Sequence, residues 1–307
     1  AVVLVVIGGG VIAAEFSHVF SAFGTEVTQL NRSSRLLRGV DEEVVARFEE
    51  AASKQWNIVK DASLSEIREN ADGSVTVVAK HTTENGEELL EIPADAVLVA
   101  TGRRPNTDTL NAKNYFDVQD GGQLSVDKYQ RVLYNGAPVP GVYALGDVSS
   151  RYQLKHVANH EARVVQHNLS HPEDLRASDH RYVPAAVFSN PQIAVVGMTE
   201  EQARQAAERE GFEITVKAQN FGDTAYGWAM EDKIGLCKLI ARKDNGELLG
   251  AHLVGEESSV LIQPLLQAMS FGMDARTLAR GQYWIHPALT EIVENALLGL
   301  EFNEPAN

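Results

Sequence analysis

The sequence predicts an α/β chain with more than one domain, and three observations carry that reading. It opens Ala1-Val-Val-Leu-Val-Val-Ile7 and runs into Gly8-Gly-Gly-Val-Ile-Ala-Ala-Glu15, the strand, turn and helix of a Rossmann-type dinucleotide-binding βαβ unit. Short alternating segments split by Asp72-Gly73 and Asn85-Gly86 come next, and they read as an antiparallel insert of hairpins. Beyond Pro184 strands and helices mix in an α+β pattern. With 307 residues, 44% of them hydrophobic, the chain can bury two or three cores.

In the opening unit Gly8 permits a tight turn, Gly10 lets a pyrophosphate approach the backbone, and Ala13 keeps the helix close to the strand. The helix carries Val11, Ile12, Ala14, Phe16, Val19, Phe20 and Phe23 and stops at Gly24; a second strand spans Glu26 to Leu30. A site for NAD places an acidic side chain near the end of that strand, on the ribose 2′-hydroxyl. Here the chain reads Leu30-Asn31-Arg32-Ser33-Ser34-Arg35-Leu36-Leu37-Arg38. Three arginines without a carboxylate suit a 2′-phosphate, so Arg32 and Arg38 predict NADPH. Asp41 to Lys54 reads as an amphipathic helix with Val44, Val45 and Phe48 on one side, and Trp56 to Val59 as a third strand. The insert follows, in segments near 64–68, 75–80 and 88–92. A buried strand at 94–100 then leads into Thr101-Gly-Arg-Arg-Pro-Asn106.

From 106 to 140 the chain is polar and loop-rich, then a strand at Val142 to Leu145 ends in Gly146-Asp147, where open α/β sheets place ligands. A helix from about His156 to Leu169 precedes a boundary at His171-Pro172. In the last part strands are expected near 185–188, 193–197, 214–218, 235–242 and 248–254. Thr199-Glu-Glu-Gln202 is a capping box, and Asp244-Asn-Gly246 turns a hairpin. Helices near 258–271, 274–280 and 287–300 close the chain. The last carries Ile292, Val293, Ala296, Leu297 and Leu300, an apolar stripe that must be buried against something and is taken as support for two-fold association.

The formal charge of −15, without a long basic stripe, argues against nucleic acid, and no apolar run approaches a membrane span. One cysteine excludes a disulfide framework and fits a reducing, cytoplasmic compartment. That residue, Cys237, alternates with Leu239 and Ala241, which predicts a buried structural thiol. His18, His81, His160, His167, His171, His180 and His252 show no metal-ligand spacing, so no metal is expected.

Five features stand in a fixed order: GGGVIAAE at 8–15, Arg32 with Arg38, ATGRRPNT at 100–107, GVYALGDV at 141–148 and IHPALTE at 285–291. The series resembles the flavoprotein disulfide reductases along essentially the whole chain. The wording of 155–168, 226–232 and 280–291 resembles the branch that reduces mycothiol disulfide. The resemblance implies an NADPH domain at 1–105, the C-terminal part of an FAD domain at 106–180, and a dimerisation domain at 181–307. It implies FAD and NADPH as cofactors, a homodimer, and a low-molecular-weight disulfide as substrate. Hg(II), another disulfide or a quinone remains an alternative acceptor, as does a non-catalytic NADPH-binding and dimerisation module. Family members also carry an N-terminal FAD segment with a CxxxxC redox disulfide. Neither is in this sequence, which is therefore expected to match the C-terminal two-thirds of such an enzyme and to be inactive alone.

Residue by residue, the resemblance makes Gly8, Gly10, Ala13 and Gly102 cofactor-binding. It gives Asp147 a hydrogen bond from the flavin ribityl chain and sets Lys155 and His156 at the helix start facing the flavin. Glu15 matches a glutamate that pairs with a flavin-side lysine, and Val11 departs from the aromatic lid residue found in glutathione reductase. His286 and Glu291 are the catalytic candidates. Pro287 is expected to set the first helical turn with His286 in the cap position, a poor cap. Glu291, one turn on, would orient the imidazole for the proton transfers of thiol-disulfide exchange.

Overall fold

In the computed structural model, which describes residues 2–303, the strand, turn and helix stand at the chain's start as β1 (Val3–Ile7) and α1 (Val11–Ala22). Then come β2 (Glu26–Leu30), α2 (Glu42–Ala52) and β3 (Asn57–Val59). The hairpin signals give β4 (Ala62–Glu69), β5 (Val75–Thr83) and β6 (Gly86–Ala94), an antiparallel sheet in that order, before β7 (Ala96–Val99) returns. The strands β3-β2-β1-β7 form a parallel sheet, with Ile7 beside Leu30. That register brings Gly8 and Asn31 out at the same edge.

Because β1 is buried on both faces, it reads as an unbroken apolar run. Val5 and Ile7 pack with Ala62, Val77, Ala79 and Ala94 of the insert. Leu4 and Val6 pack with Ala13, Ala14, Val44, Val45 and Phe48. The apolar residues of α1 do not form the buried stripe that their number suggests. Ala13, Ala14 and Ser17 face the core, because only small side chains let a helix lie this close to the strand. Val11, Ile12, Phe16 and Val19 face outward at 38–41% exposure.

The chain divides into two units, one joining Ala1–Gly102 to Pro184–Asn307 and the other spanning Arg103–Val183. The second unit holds a helical turn at Ala112–Asn114, the hairpin β8 (Arg131–Tyr134) and β9 (Ala137–Tyr143), another turn at Gly146–Val148, and α3 (Lys155–Ser170). Ala112, Leu124, Val132 and Ala144 form its core. The expected strand at 142–145 is corrected here. The strand ends at Tyr143 and pairs antiparallel with β8 across Asn135-Gly136, so Gly146-Asp147 does not lie at the end of a parallel strand. Pro138 and Pro140 hid this strand; a two-stranded ribbon tolerates prolines that a central strand would reject.

Beyond Pro184 the first unit continues with β10 (Ala185–Val187), β11 (Gln192–Gly197), α4 (Glu200–Glu210), β12 (Ile214–Asn220) and α5 (Ala225–Ala229). It ends with β13 (Leu236–Arg242), β14 (Leu248–Gly255), α6 (Ser258–Leu261), α7 (Gln263–Phe271), α8 (Ala275–Arg280) and α9 (Thr290–Leu298). The strands make an antiparallel sheet ordered β10-β11-β14-β13-β12. Thr199 and Gln202 close the capping box that opens α4. Val187, Ile193, Leu236 and Val254 share a core with α2. The stripe on α9 is also corrected. Ile292, Val293, Ala296 and Leu297 are buried within the chain, where α9 lies on β12 and β13, so that stripe leaves nothing for a second copy.

Candidate active site

The glycine turn owes its shape to backbone crowding. Gly8 sits at φ +145°, its N–H donates to the Leu30 carbonyl at 2.9 Å, and a Cβ there would stand 2.3 Å from the Ala100 oxygen. Buried Gln29 holds the same residue from the other side: its Nε2 donates to the Gly8 carbonyl at 3.0 Å while its Oε1 accepts from Trp56 Nε1 at 3.0 Å. Gly10 is different. A Cβ there meets no heavy atom within 4 Å, and no capping side chain occupies the start of α1. Open backbone N–H groups at a helix N-terminus suit a pyrophosphate.

The arginine loop is organised by Asn31, a buried residue that stands where an NAD site would carry its acid. Its Nδ2 donates to the Ser33 carbonyl at 2.7 Å and the Arg35 carbonyl at 3.0 Å. Leu37 N–H donates to the Gly9 carbonyl at 2.8 Å and Leu36 N–H to Glu49 Oε1 at 3.1 Å, which ties the loop to the glycine turn and to α2. Arg32 and Arg38 remain exposed on its surface. The set fits an adenosine carrying a 2′-phosphate. Gln29 and Asn31 were not singled out from sequence, since a buried amide announces itself only through its partners.

His286 and Glu291 come together: the imidazole Nδ1 lies 2.8 Å from Glu291 Oε1. A carboxylate oxygen accepts, so Nδ1 carries the hydrogen and Nε2 is left to handle a proton. The imidazole is 68% exposed and the carboxylate 18%. The expected local geometry is corrected. The His286–Pro287 bond is cis, and α9 begins at Thr290 behind Leu289, so Pro287 is not its first residue and His286 is not its cap. Glu291 lies in the first turn, its N–H bonded to the Ala288 carbonyl at 3.1 Å. Beside His286 and Pro287 an apolar recess is lined by Thr224, Tyr226, Trp228 and Ala229. It is shaped by α5, a helix too short to register as a hydrophobic period.

Glu15 is engaged within the chain, its Oε1 accepting from Phe188 N–H at 2.9 Å. Cys237 is fully buried, and burial pushes its thiol far above the ordinary range, so it is no nucleophile. Gly102 has no heavy atom within 4 Å of where a Cβ would stand. In the second unit Asp147 pairs with Arg103 at 2.8 Å. The turn before it is pinned by Glu161, buried to 1% exposure: Oε2 accepts from Gly146 N–H at 2.7 Å and Oε1 lies 2.9 Å from His180 Nε2. Lys155 and His156 open α3, which follows Leu154 without a capping side chain. Its first N–H groups and Asp147 form a donor and acceptor set that fits part of a flavin.

A nucleotide-binding turn on a parallel sheet with an antiparallel insert, followed by an antiparallel sheet carrying a His–Glu pair, defines a class. Residues 2–162 match the pyridine nucleotide-disulphide oxidoreductase family and residues 183–297 match its dimerisation domain. The chain belongs to that family. It is 52% identical over 302 residues to mycothione reductase of Mycobacterium tuberculosis strain H37Rv, covering 97% of this chain and 62% of that protein. It is 33% identical over 294 residues to dihydrolipoyl dehydrogenase of Synechocystis sp., covering 95% and 61%. Among solved structures, the HOCl-induced flavoprotein disulfide reductase RclA of Escherichia coli superposes with a TM-score of 0.83 at 28% identity, covering 97% of this chain and 64% of that one. The chain thus spans about three-fifths of the length of these relatives.

Proposed function

We propose that this chain is the NADPH-binding and disulfide-side part of a flavoprotein reductase of a low-molecular-weight disulfide, with mycothiol disulfide as substrate. The observation that carries the reading is the His286–Glu291 pair at 2.8 Å beside an open recess. The identity to mycothione reductase supports the substrate. NADPH and FAD, when bound, supply the hydride and electron transfer. Residues 1–105 hold NADPH: Gly8, Gly10 and Ala13 seat the pyrophosphate, and Arg32 and Arg38 take the 2′-phosphate. Residues 106–180 meet the flavin through Asp147 and the start of α3 at Lys155 and His156. Within the first part of the chain, Gly102 and Glu15 are also assigned to cofactor binding. Residues 181–307 bring two copies together through exposed apolar side chains such as Trp228, Phe271 and Ile285. Glu291 orients His286, whose Nε2 gives and takes the proton of the attacking thiol.

The sequence holds one cysteine, and that one is sealed in the core. The redox pair is therefore supplied by residues outside it, and the chain alone binds nucleotide without turning over a disulfide, in a reducing cytoplasm. The test is NADPH oxidation by the enzyme carrying that pair, with mycothiol disulfide, glutathione disulfide, Hg(II) and a quinone offered separately. The expected result is the highest kcat/KM with mycothiol disulfide; a higher value with any other acceptor rejects the assignment.

A further inference from the structure

Lys238 lies on β13 with its side chain 6% exposed. Its Nζ donates to Asp41 Oδ1 at 3.0 Å and stands 2.7 Å from Glu200 Oε2 and 3.2 Å from Glu43 Oε2. An ammonium has three hydrogens, and three carboxylates surround it. Two belong to the start of α2: Asp41 is its cap, accepting from Glu43 N–H at 3.1 Å, and Glu43 is in its first turn. Glu200 opens α4, and its backbone N–H donates to Asp41 Oδ2 at 3.2 Å. Burial alone would lower the Lys238 pKa, but its bonds to Glu200 and Asp41 outweigh it and hold the ammonium charged. Burial alone would raise the pKa of Asp41 and Glu200, yet Lys238 holds both below the usual carboxylate range.

Adhesion does not require this cluster, since α2 already packs on the sheet through Val44, Val45 and Phe48 against Leu236 and Val254. A buried ion group instead fixes direction and register. What it fixes is Asp41, the cap of α2, three residues after Arg38. The near end of the arginine loop is fixed by Asn31, and its far end runs through Val40 into Asp41. We infer that Lys238 is a positioning residue for the coenzyme: by clamping Asp41 and Glu43 it sets the far end of the arginine loop and so the grip on a 2′-phosphate. The inference rests on the NADPH reading above. The glycine turn shares one bond with the loop, from Leu37 to Gly9, but has anchors of its own in Leu30, Gln29 and the close approach of Ala100. Loss of Lys238 therefore weakens the hold on the 2′-phosphate and spares the hold on the rest of the nucleotide.

The test is calorimetric titration of this chain with two probes, adenosine 2′,5′-bisphosphate and 5′-AMP. The unchanged protein should bind the bisphosphate more tightly. Lys238→Met should lose about fivefold or more in affinity for the bisphosphate and stay within about twofold for 5′-AMP. Should Lys238→Met fail to fold, Asp41→Asn decides, because asparagine caps a helix as well as aspartate but cannot pair its charge with an ammonium. It should lose about two- to threefold for the bisphosphate alone. A folded variant with an unchanged ratio of the two affinities overturns the inference, and so does an equal loss for both probes. An unchanged protein that does not prefer the bisphosphate overturns the NADPH reading itself, a result distinct from either.

Discussion

Gly8 and Gly10 lie two residues apart, yet a methyl group should harm them for different reasons. At Gly8 it would strike the Ala100 carbonyl in a backbone conformation that L side chains avoid. Gly8→Ala should cost about 2 kcal/mol or more in stability. At Gly10 the backbone is extended (φ −93°) and the space is open, so Gly10→Ala should melt with the unchanged protein. It should instead lose about tenfold in NADPH affinity, because its methyl occupies room meant for the pyrophosphate. Thermal melts with nucleotide titration of both variants check the pair. A Gly10→Ala protein that binds normally would mean the turn serves packing alone.

Among the elements, the turn at Gly146 depends on one buried carboxylate. Glu161→Leu leaves the Gly146 N–H without its acceptor, which should cost about 1–3 kcal/mol. His180→Ala, which removes the half-exposed partner of the same carboxylate, should cost less. Chemical denaturation of both variants checks the ranking, and a Glu161→Leu protein as stable as the unchanged one would contradict it. Glu161 was not readable from sequence: on α3 it is one polar residue among many, and its partners lie 15 and 19 residues away. Lys238 was hidden for the same reason, with Asp41 197 positions distant. The glycine turn, the arginine loop, the hairpins of the insert and the capping box at Thr199 were readable, because their geometry follows from near neighbours. The His286–Glu291 pairing was readable too, although its helix starts later than the proline suggested. The stripe on α9 misled, since periodicity reports that a face is buried and not what covers it.

For the whole molecule, acid should be the weak side. Burial holds the His252 pKa below its ordinary value, and its Nε2 bonds the Met198 carbonyl at 2.7 Å. A histidine kept neutral in the fold contributes stability above its unfolded pKa of about 6.5 and loses it as pH falls below that. Asp41 and Glu200, held low by Lys238 against burial, extend the loss further into acid. Urea midpoints should therefore fall from pH 7 to pH 5, and His252→Gln should flatten that slope; an identical slope would assign it elsewhere.

The glycine turn and arginine loop are proposed to serve the nucleotide and His286 the disulfide, and rapid-reaction spectra of His286→Gln test that division most directly. In the enzyme carrying the redox cysteines, NADPH should reduce the flavin at the unchanged rate, because hydride transfer needs no imidazole. The disulfide half-reaction should fall by about 10²- to 10⁴-fold, the usual contribution of general acid–base help. Flavin reduction slowed as much as disulfide turnover would contradict the account.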